Sequence, residues 1–119
     1  MNISLLLLAI ACVESDCNPQ AYNEAEDAAG ILQIRPIMVE DCNRIVGEER
    51  WKPEDRYDII QSYEMAIIYL NNYCFGMSLE EMARCWNGGP SGYKKNATLA
   101  YWHKVEKELI RLMEEKNND

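Results

Sequence analysis

Apolar residues return at helical spacing in five stretches of this chain, and each stretch ends on a recognisable break. From Ile3 to about Ser15, the residues Leu6, Leu7, Ile10 and Val13 share one helix face. Asp16 to Pro19 ends that helix, because the residue before a proline avoids helical angles. Residues 20–35, "AYNEAEDAAGILQIRP", change character. A polar, acidic half precedes a short Ile/Leu/Ile run around Gln33, which predicts a loop with a small hairpin. Pro36 suits the first turn of a second helix reaching about Ile45, and Gly47 suits its end. A longer helix is predicted from near Pro53. Glu54 and Asp55 favour the helix dipole in its first turn, and Ile60, Tyr63, Ile67 and Leu70 form its buried stripe. The capping-box spacing of "SLEE", Ser78 to Glu81, predicts a short helix to about Trp86, and "NGGP" after it is a turn signal. Asn96 is placed to cap the last helix, with Leu99, Trp102, Val105, Leu109 and Leu112 facing inward. Asn96-Ala97-Thr98 also has the spacing of a glycosylation acceptor. The pattern as a whole is α+β and mainly α.

At 119 residues the chain has room for one domain, spanning 1–119, and one core. Its net charge of −8 argues against general binding to nucleic acid, which needs a basic footprint. The acidity is local: the first 34 residues hold Glu14, Asp16, Glu24, Glu26 and Asp27 and no Lys or Arg. A solvated acidic face explains such a bias, and so does a site built on carboxylates. The five cysteines are odd in number and contain no CxxC pair, and His103 is the single histidine, so a zinc site is not expected. A cysteine nucleophile would have to use that histidine as its base, and His103 sits among Lys and Glu in a helical pattern.

Glu14 is the residue that carries chemistry. Leu7 and Ile10 stand seven and four positions before it, so all three share the face turned to the core. A glutamate there is unusual, because Glu is rarely buried without compensation. Apolar surroundings and the negative end of the helix dipole both disfavour its charged form. Such an acid can hold a proton near neutral pH and deliver it to a leaving group. The apolar run before it has a second reading, as an export leader. Yet none of the four residues before Leu5 is positively charged, as a leader wants, and the run is shorter than the roughly 20 residues a membrane span needs.

"AIACVESDCNPQAYN" followed by "AAGILQI" resembles the Glu-Ser and GLMQ-like motifs of soluble lytic transglycosylases and goose-type lysozymes. "RCWNGGPSGY" is similar to their Ala-Tyr-Asn-Ala-Gly motif, and "ATLAYWHKV" to the segment that supplies their last active-site tyrosine. The motifs come in the family's order from about residue 5 to residue 105. The resemblance implies a lysozyme-like fold with a small hairpin or loop region after the first helix. It implies that "LLLLAIACVES" is the catalytic helix rather than a leader. It implies Glu14 as the catalytic acid and then base, with Ser15, Gly30, Gln33, Trp86, Asn87 and Tyr101 as substrate-binding residues. Tyr101 would point its hydroxyl at the catalytic carboxylate. The sequence departs from the motifs at Trp86, which replaces a tyrosine and loses its phenol, and at Leu32, which replaces a methionine.

Three activities follow from the resemblance. Transglycosylation comes first: Glu14 protonates the glycosidic oxygen between N-acetylmuramic acid and N-acetylglucosamine, then activates the muramic 6-hydroxyl to form a 1,6-anhydro sugar. The alternative is hydrolysis, as in goose-type lysozymes, with Glu24 or Asp27 as a second carboxylate. A non-catalytic module that grips glycan or protein is the third. The implied partner is the peptidoglycan glycan strand, met at the cell wall by a monomer that uses no cofactor and no metal and inserts in no membrane.

Overall fold

A helix with a single charged residue can sink its apolar face into a protein interior, and α1, Ile3–Ser15, does so. The computed structural model describes residues 3–117. Within α1, Leu6, Leu7, Ala9, Ile10 and Ala11 lose essentially all contact with solvent. Each fully buried Leu or Ile is worth about 1.5–3 kcal/mol, so α1 anchors the core. It packs against α5 (Leu99–Asn117) and α4 (Leu79–Gly88). Its end is closed by Asp16 and Cys17, both left-handed at φ 57° and 60°. Cys17 N–H donates to Ala11 O at 3.1 Å, a wrapping bond that satisfies a carbonyl of the last turn.

The hairpin predicted in residues 20–35 is present. Strands β1 (Tyr22–Asn23) and β2 (Ala28–Ala29) pair antiparallel, Tyr22 opposite Ala29 and Asn23 opposite Ala28. The chain then folds back, and Ala29 and Ile34 exchange both backbone bonds at 3.0 Å. That tight reversal puts Gly30 at φ 83° and Gln33 at φ 53°. The buried Arg56 clamps it from beneath. Its Nη1 donates to Asp27 O at 2.6 Å and Ile34 O at 2.9 Å, while its own carbonyl crowds Gly30.

Helix α2 runs Pro36–Val46, with Pro36 in its first turn and Gly47 left-handed at its end, as the sequence predicts. The next element differs from expectation. Pro53–Tyr57 is a separate 3-10 helix, and α3 begins at Ile59, where the Asp58 side chain caps Gln61 N. Its inner face also differs. Leu70 is buried, but Ile60 is 68% exposed, and Ser62, Met65, Ala66 and Tyr69 face the core instead. Small Ser62 and Ala66 admit close approach, and Ser62 Oγ donates to Arg56 O at 2.7 Å. A reading based on large apolar residues gives such positions too little weight.

Ser78 and Glu81 form the predicted capping box of α4. Asn96 does not cap α5: it opens a 3-10 turn, Asn96–Thr98, that continues directly into α5. The anchor there is Thr98, buried and 2.8 Å from both Gly92 O and Lys95 O, with Arg84 Nε donating to its hydroxyl at 2.9 Å. On α5, Val105 and Leu109 are buried, Trp102 and Leu112 pack partly against the core, and Leu99 stays 37% exposed. All five cysteines are free thiols. Among the described residues no helix is long and apolar enough to cross a membrane.

A β-carbon at Gly30 would lie 1.7 Å from the Arg56 carbonyl oxygen, at a φ that side chains rarely adopt. Gly30→Ala is therefore expected to cost roughly 2–5 kcal/mol, combining backbone strain with overpacking. Urea unfolding should show a markedly lower midpoint. A midpoint within error of the unmodified chain would mean the hairpin and the 3-10 helix are not locked together as described.

Candidate active site

Several elements meet around one cleft of about 510 Å³, with Ile37 and Met38 of α2 and Tyr69 of α3 also on its wall. The end of α1 brings Glu14, the hairpin brings Asn23 and Glu26, the reversal after β2 brings Gln33 and Arg35, and the end of α4 brings Trp86 and Asn87. The start of α5 adds Tyr101, whose hydroxyl donates to Glu14 Oε2 at 2.8 Å. Eighty-seven positions separate these two residues in the chain. What joins them is the packing of α1 on α5 and the Thr98 anchor that fixes where α5 begins.

Burial holds the Glu14 carboxyl above its ordinary range, the largest of several influences. Hydrogen bonding from Tyr101 opposes it, the negative charge of Glu26 adds to it, and the Trp86 indole and the Arg35 charge oppose it more weakly. Trp86 thus has a second use. It offers a flat, largely buried face, and its indole N–H supports the ionised acid where a phenol would otherwise stand. Tyr101 is held far above the usual tyrosine range, first by burial and then by the Glu14 charge, so its hydroxyl stays a donor at any ordinary pH.

Of the residues expected to bind substrate, Gln33, Trp86 and Asn87 line the cleft with Glu14. Gln33 is pinned by its Nε2, which donates to Gly30 O at 3.0 Å and Ala21 O at 3.2 Å. Ser15 and Gly30 lie behind the wall. Ser15 Oγ donates to Ile31 O at 2.7 Å, tying the end of α1 to the reversal, and Gly30 makes room for backbone rather than for a sugar. The acidic turn is sorted just as sharply. Asp27 accepts from Tyr22 Oη at 2.9 Å and faces Arg56, outside the cleft. Glu24 is exposed and does not line it either. Glu26 does, ion-paired with Arg35. Neither Glu26 nor Arg35 stands out in the sequence, because a single step along the turn decides which acid points inward.

A cysteine-based site is not assembled. Burial pushes the Cys12 thiol up to about 11 and the Cys42 thiol up to about 12, far from thiolate chemistry near neutral pH. His103 is largely exposed on α5, 3.9 Å from Glu106.

A family model described as the transglycosylase SLT domain matches residues 2–109. The chain is similar to invertebrate-type lysozyme 6 of Caenorhabditis elegans, 33% identical over 115 residues, covering 84% of this chain and 82% of that one. It is also similar to a lysozyme of Magallana gigas, 30% identical over 109 residues, covering 88% and 79%. Among solved structures it resembles a chain of the crystal structure of Aeromonas hydrophila PliI in complex with Meretrix lusoria lysozyme. The TM-score is 0.73, with 27% identity and 87% of each chain covered.

A carboxyl raised by burial stabilises the fold where it is protonated in both folded and unfolded chains. That contribution is lost as pH rises from the ordinary value of 4.5 through the raised one. Glu14→Gln, neutral at all pH, is therefore expected to melt near the unmodified chain at pH 4 and above it at pH 7, a sign read directly from paired thermal melts. A Gln variant less stable at pH 7 than at pH 4, relative to its parent, would reverse the assignment.

Proposed function

The chain belongs to the transglycosylase SLT domain family, and from that premise we propose that it cuts peptidoglycan glycan strands by hydrolysis. The bond is the β-1,4 link between N-acetylmuramic acid and N-acetylglucosamine. The observation that carries the reading is the half-buried Glu14 carboxyl in an open cleft, with Tyr101 donating to it and Trp86 beside it. A carboxyl held above its ordinary range keeps a proton to place on the leaving oxygen. Once ionised, it is supported by the Tyr101 hydroxyl already in position, with the Trp86 indole a weaker influence. Trp86 supplies a face for a sugar ring, and Asn87 and Gln33 supply polar contacts along the groove.

The sequence reading put transglycosylation ahead of hydrolysis. Two observations reverse that order. The relatives are named lysozymes, and the cleft carries a second carboxylate, Glu26, of the kind hydrolysis uses. Transglycosylation stays as the second reading on the strength of the family match. The site of action would be the cell wall.

Mass spectrometry of digested, unreduced cell wall separates the readings. Reducing muramic ends are expected, and 1,6-anhydro ends alone would favour the second reading. Glu14→Gln should lower release of either product by ~10³-fold or more, the scale of a lost general acid. Full lysis by that variant would remove the mechanism. Tyr101→Phe deletes a bond that favours the ionised acid, so the alkaline limb of its pH–activity profile should move to higher pH. A limb that stays in place or moves down would mean Tyr101 does not act through Glu14.

A further inference from the structure

A second groove adjoins the cleft, and cutting the glycan strand leaves it without a use. It encloses about 540 Å³ between α2 and α3. Ile37, Met38 and Tyr69 belong to the walls of both spaces. An aromatic row follows the same path. Trp86 in the cleft stands edge-on to Tyr69 with 6.0 Å between ring centres, and Tyr69 lies 4.9 Å from Tyr73 in the groove. We propose that this groove seats the peptide stem that muramic acid carries on its lactyl group, with Arg44 holding a stem carboxylate and Glu40 the free amine of the stem's diamino residue. The proposal rests on the reading that the cleft takes peptidoglycan, whichever product it releases.

The chemistry of the walls selects the stem over further sugars. The sugar rings of the strand carry no charge, whereas the stem combines alanine methyls with carboxylates and an ammonium. The open wall of the groove is aliphatic: Ile37 is 72% exposed, and Met38 and Pro90 stand on the same wall. Apolar side chains left open along a groove mark a surface that gains by being covered. Tyr69, at 6% exposed, offers little ring face for a sugar to stack on. The Tyr73 hydroxyl is committed to Asp41 Oδ2, to which it donates at 2.7 Å.

The charged end of the groove is held in one arrangement. Arg44 Nε donates to Asp41 Oδ1 at 3.0 Å, and Arg44 Nη2 donates to Asp41 Oδ1 at 2.5 Å and to Tyr73 Oη at 2.9 Å. These bonds fix the guanidinium plane, and Nη1 has no partner among the described residues. A planar guanidinium with a free edge is suited to a carboxylate. Glu40 also lines the groove, is exposed, and has no ion pair among the described residues. It stands one helical turn before Arg44, so a free acid and a free donor edge lie side by side. A ligand that carries both charges meets both, and the stem is such a ligand.

The test compares soluble, uncross-linked glycan strands that keep their stems with the same strands stripped by an N-acetylmuramyl-L-alanine amidase. kcat and KM are measured on both for the unmodified chain, Arg44→Gln, Arg44→Lys and Glu40→Gln, with thermal melts to check folding. The unmodified chain is expected to show a KM ~10-fold lower on stem-bearing strands, the low end for a hydrogen bond to a charged group. Arg44→Gln should erase most of that preference, Arg44→Lys should keep part of it by keeping the charge, and Glu40→Gln should reduce it ~2–3-fold, the scale of an exposed ion pair. Equal KM values on the two strands for the unmodified chain would overturn the proposal. So would an Arg44→Gln variant that loses equally on both, because a structural role alone predicts that. If the unmodified chain cuts neither strand, the peptidoglycan reading fails and the role of the groove falls with it, a result distinct from equal cutting of both.

Discussion

Glu14 ends a helix whose other side chains carry no charge, and that position leaves its carboxyl two ways to exist. It can keep its proton, as apolar surroundings favour, or it can ionise against donors already in place. The structure provides for both. Leu6, Leu7 and Ile10 take the helix into the core and bring its last turn to the rim of the cleft. Tyr101 and the Trp86 indole wait for the negative charge. The proposed acid would have to cycle between protonated and ionised forms, and the position of Glu14 on the boundary between core and groove tolerates each.

The rest of the fold serves to bring three other walls to that point. The hairpin is short, two residues to a strand, and such a ribbon has little stability of its own. Arg56 supplies the difference, its guanidinium bonded to the carbonyls of Asp27, Ile34 and Pro53 and its own carbonyl packed on Gly30. Thr98 and Arg84 do the same for the start of α5 and hence for Tyr101. Neither cluster lines the cleft, yet one steadies the hairpin that does and the other the tyrosine bonded to Glu14. Second-tier residues of this kind set catalytic geometry to within the fraction of an ångström that chemistry needs.

The helices and their punctuation were legible because they rest on local rules. Pro36, Gly47 and the Ser78–Glu81 box act over one turn, and the structure has each where spacing puts it. The 3-10 helix at Pro53–Tyr57, the inner face of α3 and the start of α5 were not legible, because tertiary bonds decide them: Arg56 to the hairpin, Ser62 to Arg56, Thr98 to Gly92. The same division runs through the site. Glu14 and Tyr101 come forward from motif order, and their contact spans the chain. Which acid of "EAED" faces inward depends on the twist of a two-residue hairpin, and no periodicity carries that. Ser15 and Gly30 belong to the motifs for structural reasons, holding the reversal against α1 and the 3-10 helix.

The central claim is that burial holds the Glu14 proton while Tyr101 stands ready for its loss. The most direct measurement is a carbon-detected NMR titration of the Glu14 side-chain carboxyl in the intact protein. Its midpoint is expected above the ordinary glutamate value of 4.5. A midpoint at that value would place the carboxylate in effect in open water, and one below it would mean that its donors outweigh burial; either would contradict an acid that holds its proton.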